Sequence, residues 1–233
     1  MAQTIVEAIE QVFQDVRYRD APLPERLSFV ADRVRTISPL FSSAVDTFVA
    51  RMESAGAGQD APQVGEFMPG FLLPDEQGHL VSLDRLLKKA PAVIAFHRGH
   101  WCPYCRLNAV GLAEIQDDIK PVQIVAISAQ TQQYSRKIKA ESGANFPFLT
   151  DFANGYALSL NLAIWVDEAM SSLIAGAGWD VPSFQGDTGW VLPVPSVFVV
   201  GQDGLIKARH VDVDYRRRFD PADIRMIAKT VLS

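Results

Sequence analysis

The spacing of apolar positions divides the chain into two regimes. In the first, Ile5, Ile9, Val12, Phe13 and Val16 recur at three- and four-residue steps, the stripe of an amphipathic helix. Ala21-Pro22-Leu23-Pro24 breaks that run, and Leu27, Phe29, Val30, Val34 and Ile37 mark a second helix. A third is predicted from Ala44 to Met52. The small residues and proline between Ala55 and Pro62 make the best boundary in the chain. We therefore expect a helical extension over residues 1–60 and a second unit over 61–233. Packing on the main domain is the plain expectation for such helices, since an apolar face needs only some surface to bury against. A dimer arm or a cap over an active site is the sharper one.

From Val64 the pattern changes. Pro74-Asp75-Glu76-Gln77-Gly78 reads as a turn, and His79 to Leu83 leads into a short helix over Leu86 to Lys89. Ala92 to His97 is almost uninterruptedly apolar, which predicts a strand buried on both faces. A helical pattern follows to about Lys120, where Pro121 ends it, and Val122 to Ser128 is a second central strand. Strand, helix and strand in this order argue for a right-handed parallel crossover. Thr131 to Ser142 and Asn154 to Leu160 read as helices, with a short extended piece at Phe146 to Leu149. Residues 161–192 leave this alternation and read as an insertion: a helix from Asp167 to Ile174, then a glycine-rich tract holding Trp179, Phe184 and Trp190. Those aromatics could line a substrate pocket, but anchoring the loop is the simpler role. Val194 to Val200 and Leu205 to Val211 form a hairpin about Gly201-Gln202-Asp203-Gly204. Asp220-Pro221 starts a last helix, with Asp at the N-cap and Pro in the first turn. The fold class is α/β.

Charge changes the picture only by exclusion. Twenty-two Lys and Arg against 27 Asp and Glu give a formal charge of −5, with no basic tail, so nucleic acid is not an expected partner. No apolar run approaches the ~20 residues of a membrane span, and Met1 to Glu7 lacks the look of an export signal. Cytoplasm is the expected compartment, where a lasting structural disulfide is unusual.

Against that background the cysteines stand out. The chain has two, in Trp101-Cys102-Pro103-Tyr104-Cys105, directly after the apolar strand and at the start of a helix. A free helix N-terminus stabilises an anion, Pro103 suits the first helical position, and a three-residue spacing puts both thiols on one face of the first turn. His97, Arg98, His100 and Arg106 add positive charge that favours thiolate. A redox dithiol is the reading these features favour. A zinc site using His97, His100 and both cysteines, a structural disulfide, and two inert core thiols are the competing readings. Val194-Pro195 bears on the same site: were that bond cis, the Val194 backbone would face an incoming extended thiol or peptide. Arg216, Arg217 and Arg218 read as a solvated or carboxylate-paired edge.

Trp101-Cys102-x-x-Cys105 after a buried strand, with Val194-Pro195 before a later one, resembles the thioredoxin fold. Gly65 to Leu73, Gly78 to Leu87, Arg98 to Cys105 and Pro193 to Asp223 resemble the peroxiredoxin-like branch of the alkyl hydroperoxide reductase/thiol-specific antioxidant (AhpC/TSA) family. The resemblance spans about residues 62–232. It implies a thioredoxin-like three-layer sandwich, a central mixed sheet with helices on both faces. It further implies a thiol peroxidase that reduces hydrogen peroxide or organic hydroperoxides without a cofactor or metal and is re-reduced by thioredoxin or glutathione, with a homodimer left open. Laid on the family's Pro-x-x-x-Thr-x-x-Cys motif, Cys105 takes the reactive place, Cys102 replaces Thr and Arg98 replaces Pro, while Pro195 lies near the place of the family's Arg. A thioredoxin-like pattern instead makes Cys102 the nucleophile and Cys105 the resolving thiol. The candidate site is therefore Cys102 and Cys105, supported by Trp101, Pro103, Arg98, Val194 and Pro195. A thiol–disulfide oxidoreductase and a non-catalytic redox sensor are the alternatives.

Overall fold

The computed structural model describes residues 4–232. Residues 1–3, with which the expected extension and the segment lacking an export signal begin, lie outside the described residues, as does residue 233.

Thr4 opens α1 (Ile5–Val16) with a capping box: its hydroxyl accepts from the Glu7 amide while the Glu7 carboxylate accepts from its own. Ile9, Val12, Phe13 and Val16 are buried, as the stripe requires. The second helix, α2 (Leu23–Ile37), likewise buries Leu27, Val30 and Val34, but Phe29 is 37% exposed. The third, α3 (Pro39–Ser54), starts five residues before Ala44. Ser38, whose hydroxyl accepts from the Phe41 amide, and Pro39 supply the start signal there.

Strands β1 (Leu72–Pro74) and β2 (Leu80–Ser82) pair antiparallel across the turn at Asp75, and α4 (Leu83–Leu87) follows. The core then runs β3 (Ala92–Phe96), α5 (Pro103–Ile115), β4 (Gln123–Ser128), α6 (Gln132–Ser142), β5 (Phe148–Thr150) and α7 (Gly155–Ser159). Helix α5 stops at Ile115, short of the expected Lys120, and the chain turns through 116–121 around buried Ile119. After β6 (Ala163–Trp165), α8 (Glu168–Ala177), α9 (Val181–Gln185) and β7 (Val191–Pro193), the chain ends with β8 (Ser196–Val200), β9 (Ile206–Val211) and α10 (Pro221–Thr230).

The main sheet has the order β5-β4-β3-β8-β9; β3, β4 and β5 are parallel, and β8 and β9 run antiparallel to their neighbours. Alternate β3 side chains serve opposite layers. Val93 and Ala95 share a cluster with Leu112 and Ile115 of α5 and Ile224 of α10. Ile94 and Phe96 belong to the opposite cluster with Leu83 and Leu87 of α4 and Ala157 of α7. This is the three-layer thioredoxin-like arrangement. The segment 161–192 is itself folded: β6 and β7 pair antiparallel, with α8 and α9 between them. Asp167 and Asp180 cap the two helices, and the tract's glycines are their stops, Gly178 and Gly186 taking left-handed φ of 110° and 73°.

Candidate active site

The chain leaves β3 at Phe96 and reaches α5 through residues 97–101. Gly99 makes the bend at φ 132°, where a Cβ would meet the Trp101 ring at 2.9 Å, so glycine is needed on two counts. Cys102 is the N-cap of α5, Pro103 opens the helix, and the Cys105 amide donates to the Cys102 carbonyl at 3.1 Å. Both cysteines are free thiols, 0% and 1% exposed.

Two guanidinium groups reach the sulfurs. Arg98 donates from Nη2 to Cys102 Sγ at 3.3 Å and from its backbone amide to Cys105 Sγ at 3.3 Å. Its guanidinium lies 3.4 Å from the Tyr215 ring centre and 5.0 Å from that of Trp101, whose Nε1 donates to the Arg98 carbonyl. Arg218 donates from Nη2 to Cys105 Sγ at 3.4 Å and from Nη1 to the Arg217 carbonyl. Both arginines are buried, and among the described residues neither has a carboxylate partner. Burial penalises charge on either sulfur. For Cys102 the hydrogen bond from the Cys105 thiol and the two guanidiniums overcome that penalty and hold it well below the usual thiol range; burial and the neighbouring thiolate push Cys105 well above it. Of the two sulfurs, Cys102 is therefore the one whose thiolate form the site favours.

Of the four cations expected beside the dithiol, Arg98 alone faces sulfur. His97 is fully buried and neutral, its pKa pushed to about 3 by desolvation and by Arg218 and His100. Arg106 points away, between Glu10 and Glu141, and His100 Nε2 lies 3.5 Å from Glu141. The arginine run also divides. Arg216 pairs with Asp214 and Asp46, and Arg217 lies near Asp212, but Arg218 turns inward to the thiol. Nothing in the run's polar pattern singles Arg218 out, which is why sequence reasoning assigned it to the edge.

Val194-Pro195 is trans; Lys120-Pro121 is the cis peptide among the described residues. The Val194 amide donates to Leu162 and its carbonyl accepts from Ser196 Oγ, so both of its backbone groups are engaged within the protein. Trp101 and Pro103 line a cavity of about 130 Å³ together with Trp179, Phe184 and Val6. Trp179 packs obliquely on both Trp101 and Phe41, so it anchors its segment and, with Phe184, borders the Trp101–Pro103 turn. A second, small cavity of about 20 Å³ lies between α3, α8 and the face of Arg98 and Tyr215. Among the described residues no three His, Cys, Asp or Glu side chains gather to hold a metal ion, and no helix is long and apolar enough to cross a membrane.

A mixed sheet whose first long strand delivers a buried thiolate to a helix N-terminus defines the class of thioredoxin-fold proteins with thiol-dependent redox function. The sequence model of the AhpC/TSA family matches residues 64–209. The chain belongs to the AhpC/TSA family. Solved structures similar to it include peroxidoxin BcpB from Mycobacterium tuberculosis (18% identity, 73% of this chain and 96% of that one, TM-score 0.56). The thiol peroxidase from Chromobacterium violaceum is similar at 15% identity, 73% and 88% coverage and a TM-score of 0.54. A cysteine mutant of the peroxiredoxin 6 of Arenicola marina is similar at 19% identity, 73% and 74% coverage and a TM-score of 0.56. At these identities they show the fold. No curated protein matches the chain.

Proposed function

We propose that this protein is a thiol peroxidase that reduces hydrogen peroxide or organic hydroperoxides with its Cys102–Cys105 dithiol. The observation that carries the reading is the pair of buried guanidiniums, Arg98 and Arg218, which have no carboxylate and are hydrogen-bonded to sulfur. A buried arginine cannot shed its proton, so its surroundings demand an anion, and a thiolate is the one within reach. In the reaction, the Cys102 thiolate attacks the peroxide's distal oxygen and becomes a sulfenic acid as the O–O bond breaks and alkoxide or hydroxide leaves. Arg98 is placed to stabilise that departing negative oxygen. The Cys105 thiol then attacks the sulfenic sulfur, water leaves, and the disulfide forms within one helical turn. Thioredoxin or glutathione returns the two electrons. Burial of both sulfurs favours a small peroxide over a protein disulfide as oxidant.

A second order of events has its own support: Cys105 accepts from both the Arg98 amide and Arg218, and stands where the family motif has its reactive Cys. Dimedone trapping with intact mass, after one equivalent of hydrogen peroxide, distinguishes them. Rapid labelling in Cys105→Ser and little in Cys102→Ser is expected; the reverse makes Cys105 the attacker. Peroxide rates no better than those of a free thiol in both variants and the parent protein would overturn the peroxidase reading.

A further inference from the structure

We propose that the oxidised form of this protein is an anion-binding form, taking one small anion such as chloride against Arg98. The inference rests on the redox dithiol proposed above. In the reduced protein two guanidiniums face one thiolate. Oxidation by a peroxide joins Cys102 S⁻ and Cys105 SH in a disulfide and gives two electrons to the O–O bond, which leaves as an alcohol and hydroxide (two hydrogens, two oxygens and one negative charge on each side). The pocket loses its anion, while Arg98 and Arg218 keep their charges.

Arg98 cannot easily follow the charge into solvent. Its guanidinium is held between the rings of Tyr215 and Trp101, and Trp101 is itself backed by Trp179. The cover over it is tied down: Arg51 of α3 pairs with Asp167 at the start of α8, and Phe41 packs on Trp179. One donor is already spare, because Arg98 Nε is buried without a hydrogen-bond partner among the described residues. Arg98 also lines the small cavity of about 20 Å³, whose other walls include Phe41, Phe48, Met170, Ile174 and Tyr215. A space of that size admits one particle as large as a water molecule, against a threshold of ~10–15 Å³. Apolar walls give a water there few partners, whereas an unpaired guanidinium gives an anion a strong one.

Linkage supplies the test. The full chain is equilibrated in fixed ratios of oxidised and reduced dithiothreitol at constant ionic strength, with chloride replacing gluconate, which is too bulky for the cavity. Acid quench, alkylation and intact mass then give the disulfide-to-dithiol ratio. An anion that binds only the oxidised form multiplies this ratio by one plus its concentration over its dissociation constant, so the rise steepens toward about tenfold per decade of chloride well above that constant. Ile174→Phe, which fills the cavity and leaves both arginines in place, and Arg98→Gln should each abolish that rise. A disulfide that forms with no chloride dependence in the parent protein overturns the inference and leaves the redox reading intact. Equal chloride dependence in parent and Ile174→Phe also overturns it, as the mark of general screening. Failure of any disulfide to form overturns the redox reading itself.

Discussion

At the scale of single residues, this site is defined by which charges lack partners. Arg106 and Arg216, equally basic and close in sequence to the dithiol or to Arg218, are each held by two carboxylates and contribute nothing to sulfur. Arg98 and Arg218 have none, and their charge goes to the thiols. The thiolate absorbance near 240 nm should therefore titrate well below the ~8.5 of a free cysteine. Arg98→Gln and Arg218→Gln should each move the midpoint upward, and Arg98→Gln should slow peroxide consumption on the order of 10²-fold, as loss of an oxyanion donor does. Unmoved midpoints would place the thiolate's stabilisation elsewhere. His97 has the opposite character. Its folded pKa of about 3 lies below its ordinary 6.5, so between those values the unfolded chain binds the extra proton. The stability contributed by the neutral imidazole is complete above pH 6.5 and is lost as the pH falls toward 3. His97→Phe should flatten the denaturant midpoint against pH across that window by about one proton's worth.

At the scale of elements, α1 is pinned to the dithiol helix by Phe13, fully buried with the Arg106 guanidinium 3.8 Å from its ring, and by the Glu10–Arg106–Glu141 group. Phe13→Ala should cost ~3–5 kcal/mol in denaturant melts, or free α1 at lower denaturant than the sheet. Acid should not loosen this joint before pH falls well below the usual carboxylate range. Burial alone raises the Glu141 pKa, but hydrogen bonds from His100 and Arg106 bring it to about 2, so its contribution is lost only between about 4.5 and 2. The long elements were legible in the sequence because their periods are strong: the Ile9–Val16 stripe, the unbroken run of β3 and the Asp220-Pro221 start of α10. Strands β6 and β7 were not, since three residues carry no usable period, and α9 was hidden because its Asp180 cap and Gly186 stop lie close enough to read as loop. The cysteine pair was legible from local spacing alone. Arg218 was not, because its inward turn goes with the packing of the segment after β9 on Arg98 and α5, and a run of three arginines looks the same either way.

At the scale of the molecule, the sulfurs are buried, and Arg98 and Tyr215 face elements far apart in the sequence. Helices α3 and α8 border the small cavity against Arg98 and Tyr215, and the extension packs on the main domain through α5 and α8. Iodoacetamide should outpace a polymer-linked maleimide at the native dithiol by far more than in urea. Trp179→Ala, which removes the ring between Trp101 and Phe41, should narrow that gap. An equal gap in both proteins would mean that reagents enter by another route. The span from Cys105 to Arg218 has a further consequence, in time rather than space. Cys105 is delivered by the ribosome 113 residues before the arginine that completes the field around it. Until that arginine docks, the pair has only its local helix and Arg98 to lower its pKa, and reacts more nearly as ordinary thiols do. The field around the thiols is thus complete only after Arg218 has been made, by which time every strand that a premature cross-link would misplace has been made as well.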